Sequence, residues 1–296
     1  MIQHSKHMLW CLLLPGIVSH GQAASQGTPP AKPSVEVYVI VSEKSVPPPI
    51  PTLSQFSVSV DSQPAQLASL RSANEDRLRF ALLVDISASD YEKATLIKHV
   101  ASELFQRLSD GGNEGNLVLF NSQIAMSKHP LQPSEVQRAL DSVQFRGPTA
   151  LYDAIGDTCT KILSRSGNPG APRRAIFLIT DGEDNSGHLS REGAEEAAER
   201  EGVAIFFLQT GFDQMSGAEK RQAVRFLNDA SNDTGGQAIQ AKNLEEDIPL
   251  LIDAIHSQWA VRLLPVQAFD QNMHSLAIKS EEKSVKISAP KRIPLQ

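Results

Sequence analysis

The sequence predicts an α/β protein: a doubly wound, mostly parallel sheet with helices on both faces, accompanied by a small flanking β unit. Three observations carry that class. Between residues 77 and 257, short apolar runs alternate with longer segments whose apolar residues recur at helical spacing. That alternation marks a parallel sheet covered on both sides. Before and after this span, runs rich in β-branched residues follow one another without helical segments between them. Finally, two of the buried runs stop abruptly at a carboxylate, Asp85 and Asp181. In open α/β sheets, ligands bind at the edge where strands end and loops lead into helices.

The chain has 296 residues, 41% of them hydrophobic, enough for one substantial domain and a smaller one. Residues 1–24 read as an export signal. Lys6 with His4 and His7 gives a weakly positive start, and 8–18 is apolar but too short to span a bilayer. Gly21-Gln22-Ala23-Ala24 supplies small residues for cleavage near Ala23 or Ala24. A short N-terminal membrane anchor is the other reading of this segment. With the signal removed, Cys159 has no second cysteine, which excludes an internal disulfide. It falls on the apolar side of a predicted helix and reads as a buried, inert thiol.

Residues 25–33 are polar and Pro-rich, a linker by composition. The N-terminal β segment, 34–76, contains a strand at 35–41, a Pro cluster at 47–51, an alternating strand at 56–60, a turn at Asp61-Ser62 and a return over 64–70. The main span, 77–257, opens on the buried strand 80–84. A helix follows over about 91–108, with Leu96, Val100, Leu104 and Leu108 on one face and Gly111-Gly112 at its end. Strand 116–120 and a hairpin partner at 123–127 come next, then a helix opened by Pro133 at a position that tolerates it. Further helices are predicted at 150–163, 191–201, 217–231 and 244–257, and strands at 175–180, 203–208 and 237–240. The C-terminal β segment, 258–296, has strands at 259–264, 275–279 and 285–287 that could pair with 34–76 into one small sandwich. A two-stranded unit alone is marginal, which favours such pairing.

The net charge of −6 and the lack of a basic cluster exclude nucleic acid as a partner. At 5%, the aromatic residues fall mostly inside apolar runs rather than forming a platform for bases. Chemistry gathers instead in three strand-to-helix loops. Asp85-Ile86-Ser87-Ala88-Ser89 offers one carboxylate and two hydroxyls, Gly147-Pro148-Thr149 places a hydroxyl at a helix start, and Thr180-Asp181-Gly182-Glu183 ends a second buried strand on a carboxylate. If the three loops share one sheet edge, Asp85, Ser87, Ser89, Thr149 and Asp181 converge as hard oxygen donors. Such a set suits Mg²⁺, with Mn²⁺ or Ca²⁺ as the other candidates. Singly, each of these residues is an ordinary cap or turn residue; the case rests on the five together.

Asp-x-Ser-x-Ser, then Gly-Pro-Thr-Ala-Leu-Tyr-Asp-Ala, then Thr-Asp-Gly-Glu after an apolar strand, resembles the von Willebrand factor type A (VWA) domain over about residues 77–257. The resemblance implies a Rossmann-like fold and a metal-ion-dependent adhesion site. In such a site Ser87, Ser89 and Thr149 contact the ion directly, Asp85 and Asp181 act directly or through water, and an open position accepts an Asp or Glu carboxylate from a protein partner. The flanks, with the Leu53 to Val58 stretch, the Asp61 turn, the Trp259 strand, Pro265 and His274-Ser275-Leu276-Ala277-Ile278, resemble bacterial secreted VWA-related proteins of the acidobacterial type. Three residues depart from the family pattern. Ala88 stands where a Gly is usual, Asp90 where a Met commonly follows, and Pro148 where a Gly is common.

An enzyme would need an activated nucleophile or a tuned acid–base pair. Ser87 and Ser89 lie in no Gly-x-Ser-x-Gly or Ser-x-x-Lys motif, and no phosphate-binding Gly-x-x-x-x-Gly-Lys occurs. The expectation is a non-enzymatic, exported module, periplasmic or extracellular, that binds a protein partner through its metal; membrane contact follows only if the N-terminal segment is retained. A metal-assisted hydrolase, or an assembly component whose metal fixes the loops, are the alternatives.

Overall fold

The computed structural model describes residues 34–43, 51–165, 171–210, 217–240, 243–264, 270 and 272–295. The predicted signal 1–24, the linker 25–33, most of the Pro cluster and Pro265 lie outside the described residues.

The front segment supplies β1 (Val35–Glu43), β2 (Phe56–Val60), β3 (Gln63–Pro64) and β4 (Gln66–Ser72). The α/β span then runs β5 (Leu78–Asp85), α1 (Ala94–Ser109), β6 (Glu114–Phe120), β7 (Ile124–Met126), α2 (Pro133–Ser142), α3 (Leu151–Lys161) and β8 (Arg173–Thr180). It continues with α4 (Arg191–Glu201), β9 (Ala204–Gln209), α5 (Gly217–Asp233), β10 (Gln237–Gln240) and α6 (Ile248–His256). The rear segment adds β11 (Gln258–Leu264), β12 (Met273–Ser280), β13 (Val285–Ser288) and β14 (Arg292–Pro294).

The central sheet has the order β10-β9-β8-β5-β6-β7. All its pairs are parallel except the β6–β7 hairpin. β5 lies inside, paired on both sides, which is why its apolar run is continuous rather than alternating. Its side chains still divide by parity. Phe80, Leu82 and Val84 enter the core under α1, α2 and α6, while Ala81 and Leu83 enter the one under α3, α4 and α5. Each large side chain taken wholly out of water this way contributes roughly 1.5–3 kcal/mol.

Two helix starts differ from the sequence expectation. The segment read as the beginning of the first helix is a 3-10 turn, Ala88–Lys93, and α1 begins at Ala94. In that turn Asp90 is buried and its Oδ2 accepts a hydrogen bond from Thr210 Oγ1 at 2.7 Å. This distant contact accompanies the tighter winding. The last helix begins at Ile248 rather than near 244, with Pro249 in its first turn. Pro lacks a backbone N–H and disfavours helical geometry in the residues before it. Cys159 is a buried free thiol whose titration burial pushes far up, as an inert core group requires.

The front and rear β segments are hydrogen-bonded to each other in two four-stranded sheets, β13-β1-β11-β4 and β14-β12-β2-β3. Val37, Val39, Val58, Val60, Val261 and Leu276 meet in the core shared by the two sheets. The return predicted over 64–70 is divided: β3 pairs with β2 and β4 with β11, so the chain changes sheets at Ala65. Asp61 and Ser62 make the preceding turn with φ of +47° and +63°. Asp61 then anchors the rear segment, its Oδ2 lying 2.6 Å from His274 Nδ1 and its Oδ1 accepting the Ser275 N–H at 2.9 Å. Asp270 Oδ1 meets the other ring nitrogen at 2.8 Å. Between two carboxylates the imidazolium is favoured, and the His274 pKa is raised. Stability from this clamp is therefore full below the ordinary histidine pKa and is lost as pH rises through the raised one. Melting curves from pH 5 to 9 should show that loss in wild type and not in His274→Gln.

Candidate metal centre

The three loops lie together at the carboxyl edge of β5 and β8, and hydrogen bonds explain their placement. Ile86 continues the β5 ladder by donating to Phe120 O, while Ala88 N–H donates to Gly147 O at 2.9 Å and ties the first loop to the second. Gly147 has φ +81°, a backbone region that favours glycine. The second loop is tied to the third by a reciprocal pair. Thr149 N–H donates to Asn185 Oδ1 at 2.7 Å, and Asn185 and Ser186 N–H groups donate back to Thr149 O at 3.0 and 2.9 Å. The third loop is tied to the first through Thr180, whose Oγ1 donates to Asp85 Oδ2 at 2.7 Å and accepts from Gly182 N–H at 3.1 Å.

Within this frame the five residues singled out by sequence occupy distinct environments. Asp85 is fully buried, and its Oδ1 accepts the Ser87 N–H at 2.9 Å. Ser87 sits at the N-cap position of the 3-10 turn, yet its hydroxyl caps nothing; it pairs with Ser89 Oγ at 3.0 Å. Ser89 is exposed, so the hydroxyl pair reaches from the interior to solvent. Thr149 is 1% exposed, with its backbone wholly engaged by Asn185 and Ser186 and its hydroxyl bonded to none of the described residues. Asp181 is buried and uses Oδ1 to accept the Glu183 N–H at 3.0 Å. The structure thus brings Asp85, Ser87 and Ser89 into direct side-chain or side-chain-to-backbone contact. It joins Thr149 and Asp181 to them through neighbouring groups.

The electrostatics favour a cation. Burial pushes the Asp85 carboxyl up to about 7; hydrogen bonds from Ser87 and Thr180 oppose that shift, and the Asp181 and Asp90 charges reinforce it. Burial likewise pushes Asp90 up to about 7, against its bond from Thr210. Asp90 Oδ1 is buried and has no partner among the described residues. Carboxylates confined together in this way are relieved by a divalent ion. The donor set is made only of hard oxygens, as Mg²⁺, Mn²⁺ or Ca²⁺ requires. Among the described residues no three His, Cys, Asp or Glu side chains gather so as to hold a metal alone. The site therefore stands only with its three hydroxyls counted, and with them the residues fit the ion.

Asn185, in the acidic stretch that follows Asp181, is the clasp of the Thr149 loop. Sequence reasoning assigned no role to Thr180 or Thr210. Residues that orient ligands typically change metal affinity 10–100-fold when removed. Asn185→Ala is expected to weaken metal binding by about that factor while leaving the far-ultraviolet circular dichroism unchanged, as a calorimetric titration can measure.

No curated protein matches the sequence. Among solved structures, the chain is similar to an aerotolerance-related membrane protein from Bacteroides fragilis, at 18% identity over 60% of this chain and 98% of that one, with a TM-score of 0.48. The conserved hypothetical protein BatB of Bacteroides thetaiotaomicron is similar at 17% identity, with the same shares of 60% and 98% and a TM-score of 0.46. Proximal thread matrix protein 1 of the mussel byssus, in a structure whose adhesion-site motif holds zinc, is similar at 16% identity over 65% of this chain and 48% of that one, with a TM-score of 0.48. The family model for the von Willebrand factor type A domain matches residues 80–252, more than half of the chain. The chain belongs to the von Willebrand factor type A domain family.

Proposed function

We propose that the protein is an exported, divalent-metal-dependent binding module that engages a protein partner through an Asp or Glu carboxylate. In this reading Asp85, Ser87, Ser89, Thr149 and Asp181 hold the ion, and residues 77–257 form the binding domain on a β mount made of 34–76 and 258–296. One observation carries it most: a largely buried edge where two carboxylates and three hydroxyls lie on loops cross-tied by backbone and side-chain hydrogen bonds. Such an edge is preorganised for an ion, and the exposed Ser89 marks where a partner oxygen can enter. The bound ion supplies a Lewis-acidic contact for that oxygen. Tyr91, two residues beyond Ser89 and 68% exposed, supplies an aromatic anchor of the kind that dominates protein interfaces.

The reading is non-enzymatic. The Ser87 hydroxyl has Ser89 as its partner rather than an imidazole or amine, so nothing among the described residues activates it as a nucleophile. Among the described residues no helix is long and apolar enough to cross a membrane. Export rests on the signal-like 1–24. The resemblance of the flanks to secreted bacterial proteins supports the same assignment.

The test is affinity capture from the native envelope fraction on the immobilised full chain, in Mg²⁺ against chelator. A partner retained only in Mg²⁺ and lost with Asp85→Ala is the expected result. Equal retention by wild type and Asp85→Ala, whatever the metal, would overturn the reading.

A further inference from the structure

The opposite edge of the central sheet carries the reverse electrostatic arrangement. Arg79 on β5 and Arg174 on β8 are cross-strand neighbours. They share the sheet face of Ala81 and Ile176, which is covered by α3 and α4. Arg165 follows the end of α3, and with Arg174 it lines a cavity of about 60 Å³ whose wall also includes Tyr38, Arg173 and Gly202. The Nε atoms of Arg79 and Arg174 are buried without a partner, and none of these three guanidiniums is ion-paired or hydrogen-bonded among the described residues. In a chain of net charge −6, three unpaired arginines at one place are not a general surface property.

Two carboxylates, Glu36 and Glu199, line the same cavity, and each is held by an arginine outside the trio. Glu201 Oε2 accepts the backbone N–H of Arg165 at 2.6 Å, and its charge acts on both Arg165 and Arg174. Glu199 is held by Arg292 Nε at 2.6 Å, and Glu36 by Arg71 at 3.1 Å and Arg262 at 3.6 Å. The sequence between α3 and β8, Ser166-Gly167-Asn168-Pro169-Gly170, contains no acid. Burial, then the neighbouring Arg165, pushes the Arg174 guanidinium down to about 10, which still leaves it charged at neutral pH. A partly buried cation with no hydrogen-bonded counter-charge among the described residues is costly.

We propose that Arg165 and Arg174, with Arg79 beside Arg174 on the neighbouring strand, form a binding site for a small tetrahedral oxyanion of the phosphate class, at the sheet edge remote from the metal loops. The guanidinium is a planar fork that binds phosphate in bidentate fashion. Two forks lining one cavity match an ion with four oxygens better than a monocarboxylate with two. The cavity admits a few waters or one such ion. Because β1 and β14 line it together with β8 and α4, the bound ion fastens the β layers to the α/β domain.

The test uses the full chain in metal-free buffer, with inorganic phosphate against chloride at equal ionic strength. Phosphate should raise the melting temperature saturably, by about 5–10 °C at a hundredfold excess over Kd. Arg174→Gln and Arg165→Gln should abolish the rise, and Asp85→Ala should keep it. In chloride alone, Arg174→Gln should melt no lower than wild type, because an unpaired charge has been removed. An equal rise in wild type and both arginine variants overturns the site, as does no rise beyond chloride. If a variant fails to fold, the ³¹P line width of phosphate decides: broadening by wild type that excess sulfate reverses supports the site, and an unbroadened line overturns it.

Discussion

Saturating Mg²⁺ is expected to raise the melting temperature of the wild-type chain by about 5–10 °C, and Thr149→Ala and Asp85→Ala should each lose most of that rise. A ligand that binds only the folded state at a hundredfold excess over Kd adds ~2.7 kcal/mol. For a domain of this size each kcal/mol corresponds to about 2–4 °C. Thr149 is the cleaner probe. Its hydroxyl bonds to none of the described residues, and its backbone, which ties the loops together, is untouched by the substitution. The chelated Thr149→Ala protein should therefore melt close to chelated wild type. Asp85→Ala differs because it also strands the Ser87 N–H and the Thr180 hydroxyl. Each variant must be compared with its own chelated form. Differential scanning calorimetry with Mg²⁺, Mn²⁺ and Ca²⁺ gives the measurement, and an equal rise in Thr149→Ala would remove Thr149 from the ligand set.

The α/β architecture was legible in the sequence because its signals are local. Apolar runs of strand length between helical periodicities need no distant information, and β5, β8 and β9 follow from them. The carboxylates at the ends of β5 and β8 are legible for the same reason. What escaped are bonds between residues far apart in sequence: Asp85 with Thr180 across 95 positions, Asp90 with Thr210 across 120, and Thr149 with Asn185 across 36. Each uses a residue type that is commonplace in loops, so no composition or spacing marks it. The division of the 64–70 return between two sheets was hidden likewise, since β3 stays with its neighbour β2 while β4 pairs with the distant β11. The unpaired arginines at 79, 165 and 174 look scattered in sequence; strand register and the turn after α3 bring them together.

Phe177→Ala should cost about 3–5 kcal/mol and lower the melting temperature by roughly 10 °C or more. Phe177 is fully buried in the middle of β8, stacked on Phe206 with centroids 5.0 Å apart and set edge-on to Phe80 at 6.0 Å. Phe80 in turn packs on Phe105 of α1 at 5.1 Å, so four rings join three adjacent strands to the covering helix. Deleting one ring leaves a cavity that residues held in a parallel ladder on both sides cannot close. Phe177 lies three residues before the end of β8, where Asp181 and the Thr180 bond to Asp85 depend on the register of that strand. Stability and metal affinity are thus separable: Phe177→Leu, which retains most of the volume, should recover most of the stability, and at temperatures where either variant is folded the Mg²⁺ affinity should match wild type. Loss of affinity in proportion to lost stability would mean that the metal edge is held by the core. Retention would mean that the cross-tied loops alone, with Thr180 and Asn185 as their fasteners, set the geometry of the site.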